Sequence, residues 1–225
     1  MQSMTISPTK NVFFRKYKLP SVEDAGIYSR MTETSTTNRS EAVTRLIESA
    51  DLVFRNSGAI PISVAEVACS AGVSRALVYA HFPNGEDLIN AILDDAVDYF
   101  STANVISIAG AVNFEKVTLE LLDVYFEFLQ KHSNLVHMVN IDSFMAGKLS
   151  RNYRMLRDGV LKRVARLART EKSLPLNVSL SLVVLLASLA DESARQVRAG
   201  SSVEMTHATM RAIATSMIEG ISKYD

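Results

Sequence analysis

Between Ala71 and Leu88 the chain reads AGVSRALVYAHFPNGEDL, and this stretch leaves few folds open. Gly72 divides two helical pieces, each shorter than the ~12–15 residues at which an isolated helix becomes stable in water. Both must therefore be held by neighbours. Upstream, Ser63 precedes Val64, Val67 and Ala68 and has Glu66 three positions on, a reciprocal capping signal. Downstream, Ser74 caps a helix over Arg75 to His81, and Asn84 caps another with Glu86 and Asp87 in its first turn, where the helix dipole favours negative charge. Gly72 supplies the positive φ of the turn. Val73, Val78 and Phe82 are spaced to pack inward, leaving Ser74, Arg75, Tyr79 and His81 outward. Two short helices around a glycine turn are the helix-turn-helix arrangement, whose second helix lies in the DNA major groove, about 12 Å wide.

The remaining periodicity is helical. Asn38 and Glu41 can cap a helix on which Val43, Leu46, Ile47, Ala50, Val53 and Phe54 recur at three and four, ending at Asn56-Ser57-Gly58. The helix capped by Asn84 runs to about Phe100. After a looser segment, STANVISIAGAVN, the pattern returns in FEKVTLELLDVYFEFLQKHSNL and continues with breaks at Gly147, Pro175 and Gly200-Ser201-Ser202, giving about five more helices. Strand and hairpin signals are nearly absent, so the expected class is all-α. The expected organisation is a flexible amino-terminal tail over 1–37, a helix-turn-helix DNA-binding domain over 38–84, and a larger helical body over 85–225.

Composition narrows the partners. Apolar residues make up 48% of the chain, enough for a core, and 24 basic against 24 acidic residues leave a formal net charge of zero. Any contact with a polyanion must come from a local patch. A single cysteine, Cys69, leaves no intramolecular disulfide and no multi-cysteine metal site, and fits a reducing cytoplasm. The apolar run VSLSLVVLLASLA, Val178 to Ala190, falls short of the ~20 residues of a membrane span and reads as a buried helix. The amino-terminal thirty residues lack the apolar segment of a secretory signal. The expected location is cytoplasmic, with no membrane partner.

The stretch PISVAEVACSAGVSRALVYAHFPNGEDLINAIL resembles the DNA-binding region of the TetR family of transcriptional regulators. The resemblance is carried by Ser63, Ala71, Gly72, Val73, Ser74, Tyr79, Phe82 and Leu88. Three positions depart from the family pattern: Leu77 replaces a frequent Thr, Ala80 a larger polar or aromatic residue, and Gly85 the Lys that meets a phosphate. The resemblance implies base-edge roles for Arg75, Ala76 and Tyr79 and backbone-phosphate roles for Ser63, Ser74, Tyr79 and His81. Leu77 can touch a thymine methyl, and the N–H groups at Gly85 and Glu86 can meet a phosphate. The resemblance further implies that the body over 85–225 is a ligand-binding and dimerisation domain, and that the chain is a homodimer on a palindromic double-stranded DNA operator, most simply a repressor, released by a small-molecule effector. Other readings are an activator or architectural DNA binder, or an all-helical binding module with a vestigial motif.

No catalytic constellation competes. The chain lacks a Gly-x-Ser-x-Gly, a His-Glu-x-x-His, a phosphate loop and a dinucleotide glycine pattern, and His132 and His137 are spaced to point apart on a helix. No catalytic residue, metal site or cofactor is expected. An apolar and flexible effector pocket is expected from Tyr125, Phe128, His137, Met138, Phe144, Met145, Tyr153 and Met155. A dimer face is expected from Val183 and Ala187 on the apolar helix and from Met205, Thr209, Ala212, Ile213, Ser216, Met217 and Gly220 on the last, where small residues admit close approach. The arginines and lysine from Arg151 to Arg169 are expected to form a solvated basic face.

Overall fold

The structure, a computed structural model, describes residues 41–103, 105–132, 134–145 and 147–221. The expected tail over 1–37 and the expected cap at Asn38 lie outside them. Ten helices form among the described residues: α1 Glu41–Ser57, α2 Val64–Ala71, α3 Arg75–His81, α4 Gly85–Thr102, α5 Val105–Gly110, α6 Phe114–Lys131, α7 Leu135–Ile141, α8 Arg151–Lys172, α9 Leu176–Arg198 and α10 Val203–Gly220. All lie in one compact unit, Thr36–Asp225. No strand occurs among the described residues, and the fold is all-α.

The amino-terminal helices form where local capping predicts them. Ser63 Oγ accepts from the Glu66 N–H at 3.3 Å, Ser74 Oγ from Leu77 N–H at 3.2 Å, and Asn84 Oδ1 from Asp87 N–H at 2.9 Å. Gly72 ends α2 at φ 67°, and the Val73 N–H turns back to the Ala68 carbonyl at 2.9 Å. A Cβ at Gly72 would meet nothing within 4 Å; the left-handed backbone alone excludes other residues, at roughly 1–2 kcal/mol. α1 contributes Leu46, Ile47, Ala50, Val53 and Phe54 to the core, and α3 is held on it through Val78 and Phe82, 0% and 7% exposed. Burial of side chains of that size stabilises by roughly 1.5–3 kcal/mol each.

The fourth helix joins this head to the rest. α4 packs on α1 on one side and on α8 on the other. Its Asn90 bridges the chain at 148–150, donating to the Lys148 carbonyl at 2.9 Å and accepting from the Ser150 N–H at 2.8 Å, while Ser150 Oγ donates to Asp94 at 2.8 Å. A second link is Arg55, which donates to Asp51 at 3.1 Å and to the carbonyl of Lys131, at the end of α6, at 2.8 Å.

The larger body is organised around α9. This helix packs against α8, α6 and α10, burying Leu182, Val183, Leu186, Ala190 and Ala194. By length and composition alone α9 would be apolar enough to cross a membrane, and a third of that apolar window is buried inside the chain. α5 falls inside the segment expected to be loose. It is six residues long, too short for a 3.6-residue repeat to be read from sequence, and a side chain distant in sequence holds its end: Arg163 Nε donates to the Ala109 carbonyl at 2.9 Å, and its Nη2 to those of Gly110 and Ala111 at 3.2 Å. Glu171 accepts the Phe114 N–H with both carboxylate oxygens at 2.9 Å. The α8 basic face is therefore only partly solvated: Arg151, Arg154, Arg166 and Arg169 are exposed, whereas Arg163 closes α5 and Arg157 bonds Asn140 and Asp158.

Candidate nucleic-acid interface and effector site

α3 has one inward side and is otherwise open. Val78 is its only buried residue. Arg75, Ala76, Leu77, Tyr79, Ala80 and His81 are exposed, with Leu77 at 38% and Tyr79 at 52%. Ser63 and Ser74 use their hydroxyls as helix caps; Ser74 is exposed and Ser63 half-buried. Gly85 opens α4 half-buried. A Cβ there would lie 3.2 Å from the Ile62 carbonyl oxygen and 3.4 Å from Pro61 Cβ, so the missing lysine at this position coincides with a close backbone approach. Asp87, not a phosphate-directed cation, occupies the following turn.

The expected effector residues divide into groups. Tyr125 on α6 and His137 on α7 meet on a residue the sequence reading did not select, Asp191 of α9: the Tyr125 hydroxyl donates to Oδ1 at 2.9 Å, and His137 Nδ1 lies 2.7 Å from Oδ2. Tyr153 on α8 is buried, donates to the Val136 carbonyl at 2.9 Å and accepts from Asn140 at 3.0 Å. Phe128 lies in an aromatic run with Tyr99 and Phe100 of α4, ring centres 5.2 and 4.8 Å away, and stacks on His132 at 4.6 Å. Phe100 and Tyr125 rings are 6.3 Å apart, so the run joins the Asp191 cluster. Met138 is half-buried and packs against the core, as does Phe144, whose ring lies 3.9 Å beneath the Lys148 ammonium. Met145 is fully buried, and Met155 is half-buried on α8. Asp191 had one sequence signal: it is the carboxylate that ends the apolar run of α9, and a charge taken into a core needs a partner.

Burial raises the Tyr125 hydroxyl well above its usual range, with the Asp191 charge adding to it, and pushes Tyr153 up to about 12. Both phenols stay neutral donors at physiological pH. His137 is raised, first by its hydrogen bond to Asp191, against an opposing effect of burial. His132 is lowered, first by burial. A raised histidine contributes stability that is complete below its unfolded value, ~6.5, and is lost as pH rises through the folded value; a lowered one contributes stability that is complete above ~6.5 and is lost as pH falls. The His137→Gln variant should therefore lose more stability relative to the parent at pH 5.5 than at pH 9, measured as urea midpoints. An unchanged difference across that range would show that the pair with Asp191 does not titrate with folding.

The expected dimer residues are placed unevenly. On α10, Met205 is 70% and Ile213 43% exposed; Thr209, Ala212, Ser216 and Gly220 are exposed and Met217 is half-buried. On α9, Ala187 is half-buried, but Val183 is 7% exposed and belongs to the chain's own core. Val183 turns inward within the single chain, while Leu185, 58% exposed, presents apolar surface outward on that helix.

A capped α2, a left-handed glycine turn and an α3 pinned by Val78 and Phe82, set on a larger helical body, make a helix-turn-helix of the kind found in DNA-binding proteins. Comparison refines the class. Residues 46–92 match the family of bacterial regulatory proteins called the tetR family. A TetR-like transcriptional regulator from a Rhodococcus species is similar at 17% identity and a TM-score of 0.59, covering 81% of this chain and 98% of its own. The fatty acid degradation regulator FadR of Bacillus halodurans is similar at 17% identity and 0.58, covering 79% and 98%. FadR of Bacillus subtilis, in complex with stearoyl-CoA, is similar at 15% identity and 0.57, covering 80% and 98%. No curated protein sequence matches the chain. The tetR-family match is confined to residues 46–92, and the chain as a whole has the fold of these solved regulators.

Proposed function

We propose that the chain is a ligand-responsive repressor with a DNA-binding head over 38–84 and an effector and dimerisation body over 85–225. Two copies bind a palindromic double-stranded operator in the bacterial cytoplasm, their α3 helices in successive major grooves ~34 Å apart. The observation that carries this reading is α3 itself, which exposes every residue except Val78 while the matched family segment surrounds it. Arg75, Ala76, Leu77 and Tyr79 read base edges; Ser63, Ser74, Tyr79, His81 and the amide groups at Gly85 meet phosphates. A small apolar effector enters between α4, α6, α7 and α9, against Phe100, Phe128 and the Tyr125–Asp191–His137 cluster. The stearoyl-CoA bound by FadR of Bacillus subtilis and the minocycline bound by a TetR variant of Acinetobacter baumannii, similar at 13% identity, support a small-molecule role for such a body. The chain catalyses no reaction of its own.

Release follows from differential affinity: an effector that prefers a conformation with another spacing of the two heads weakens DNA binding by the same free energy, typically ~1–3 kcal/mol. The test is enrichment of duplexes from a random-sequence library by the full-length chain, followed by gel shifts of the enriched duplex at several salt concentrations. Sequence-preferring, salt-sensitive binding is expected. Enrichment of no sequence above background would overturn the reading.

A further inference from the structure

We infer that this chain reads thymine methyl groups in its operator, beside the guanine contact of Arg75, with Ala76, Leu77 and Ala80 as the methyl-reading surface. The inference rests on the regulator reading above and specifies the chemistry of the sequence that the same helix recognises.

The argument begins with helix geometry. α3 is fastened by Val78 and by Phe82 just beyond its end, both buried. At 3.6 residues per turn these two define the inward side; Ala80 stands opposite it, with Ala76 about 40° and Leu77 about 60° to either side. Tyr79 lies on one flank, with Arg75 behind it at the start of the helix, and His81 lies on the other, next to Leu77. All of these are exposed. The front of α3 is therefore two single methyl groups with one isobutyl group beside them, and the small alanines let the helix axis approach the base edges closely.

The polar inventory of α3 points the same way. Its sequence is RALVYAH, with no Asn or Gln for the paired N6 and N7 of adenine and no Asp or Glu for the N4 of cytosine. Ser74 Oγ is already the acceptor for Leu77 N–H. The one forked donor is Arg75. In the major groove the remaining distinctive feature available to an apolar side chain is the C5-methyl of thymine. Leu77 is 38% exposed before any partner is present, so covering it against a methyl removes apolar surface from water on both sides.

The test uses the duplex enriched by the full-length chain and replaces each half-site thymine in turn by uracil, which removes only the C5-methyl. At least one position in each half-site should weaken binding about fourfold, the scale of one buried methyl-sized group, and symmetric replacement in both half-sites more than tenfold. Leu77→Ala, an exposed site whose change leaves the thermal midpoint unaltered, should bind the thymine duplex more weakly and lose the sensitivity to uracil at that position; the coupling in this protein–DNA double cycle is the decisive quantity. An enriched duplex that tolerates every uracil within twofold, or a Leu77→Ala protein that keeps the full uracil sensitivity, would overturn the inference while leaving the regulator reading standing. Failure to enrich any duplex would overturn both.

Discussion

The double variant Leu185→Glu, Ile213→Glu is expected to run as a monomer at micromolar concentration and to lose about two to four orders of magnitude of operator affinity. Leu185 on α9 and Ile213 on α10 are 58% and 43% exposed in the single chain, and Met205 and Val203 on α10 are 70% and 44% exposed. Apolar side chains concentrated on two adjoining helices are what a second copy of the chain would cover. Beside them Ala212, Ser216 and Gly220 are also exposed, and residues this small let two helices approach closely. A carboxylate carried into such a contact must be desolvated without a partner, which opposes association. Because both positions are open in the protomer, its own folding should be little affected, so the thermal midpoint extrapolated to low concentration should match the parent. The loss on DNA follows from linkage of two heads: the second half-site binds at an effective local concentration, an advantage of ~10²–10⁴ that a monomer lacks. Light scattering measures the mass and fluorescence anisotropy the affinity. A variant that remains dimeric would place the interface elsewhere.

The head was legible in the sequence because what specifies it is local. Ser63, Ser74 and Asn84 each bond an N–H three residues ahead, and Gly72 takes a φ of 67° that few other residues adopt. Such signals survive in a single linear reading. The body was legible as helices but not as a site. Asp191 lies 66 residues from Tyr125 in the chain, and no periodicity announces that pair. The Arg163 side chain that closes α5 looked like one more cation on a basic helix. Val183 and Leu185 differ only in which way they turn on α9, and a run that is apolar nearly all round carries no moment to tell them apart. Gly85 read as a lost phosphate contact; the packing adds a reason for glycine there, the Ile62 carbonyl 3.2 Å from where a Cβ would sit.

Arg75→Ala is expected to weaken operator binding about tenfold to a hundredfold per half-site and to relax discrimination at one base pair. Arg75 is exposed at the start of α3 and forms no ion pair among the described residues, so its guanidinium reaches the groove without first breaking an internal bond. A fork donating to both O6 and N7 of guanine discriminates by about 1–3 kcal/mol. Two outcomes separate base reading from phosphate contact. If Arg75 reads a guanine, the variant loses its preference at that position while the salt slope of binding barely changes. If it meets a phosphate, affinity falls equally for all sequences and the slope drops by about 0.9 per contact. The first is expected, because Arg75, at the start of the helix, shares a flank with Tyr79 one turn on. Arg75→Lys then recovers little, since an ammonium keeps the charge but not the fork. Tyr79→Ala should show a different pattern, a loss of affinity across sequences with little change of slope, because a neutral hydroxyl that meets a phosphate releases no counterion. A protein in which both substitutions bind as the parent does would mean that α3 is not the reading helix at all, and that the exposed surface opposite Val78 serves another partner.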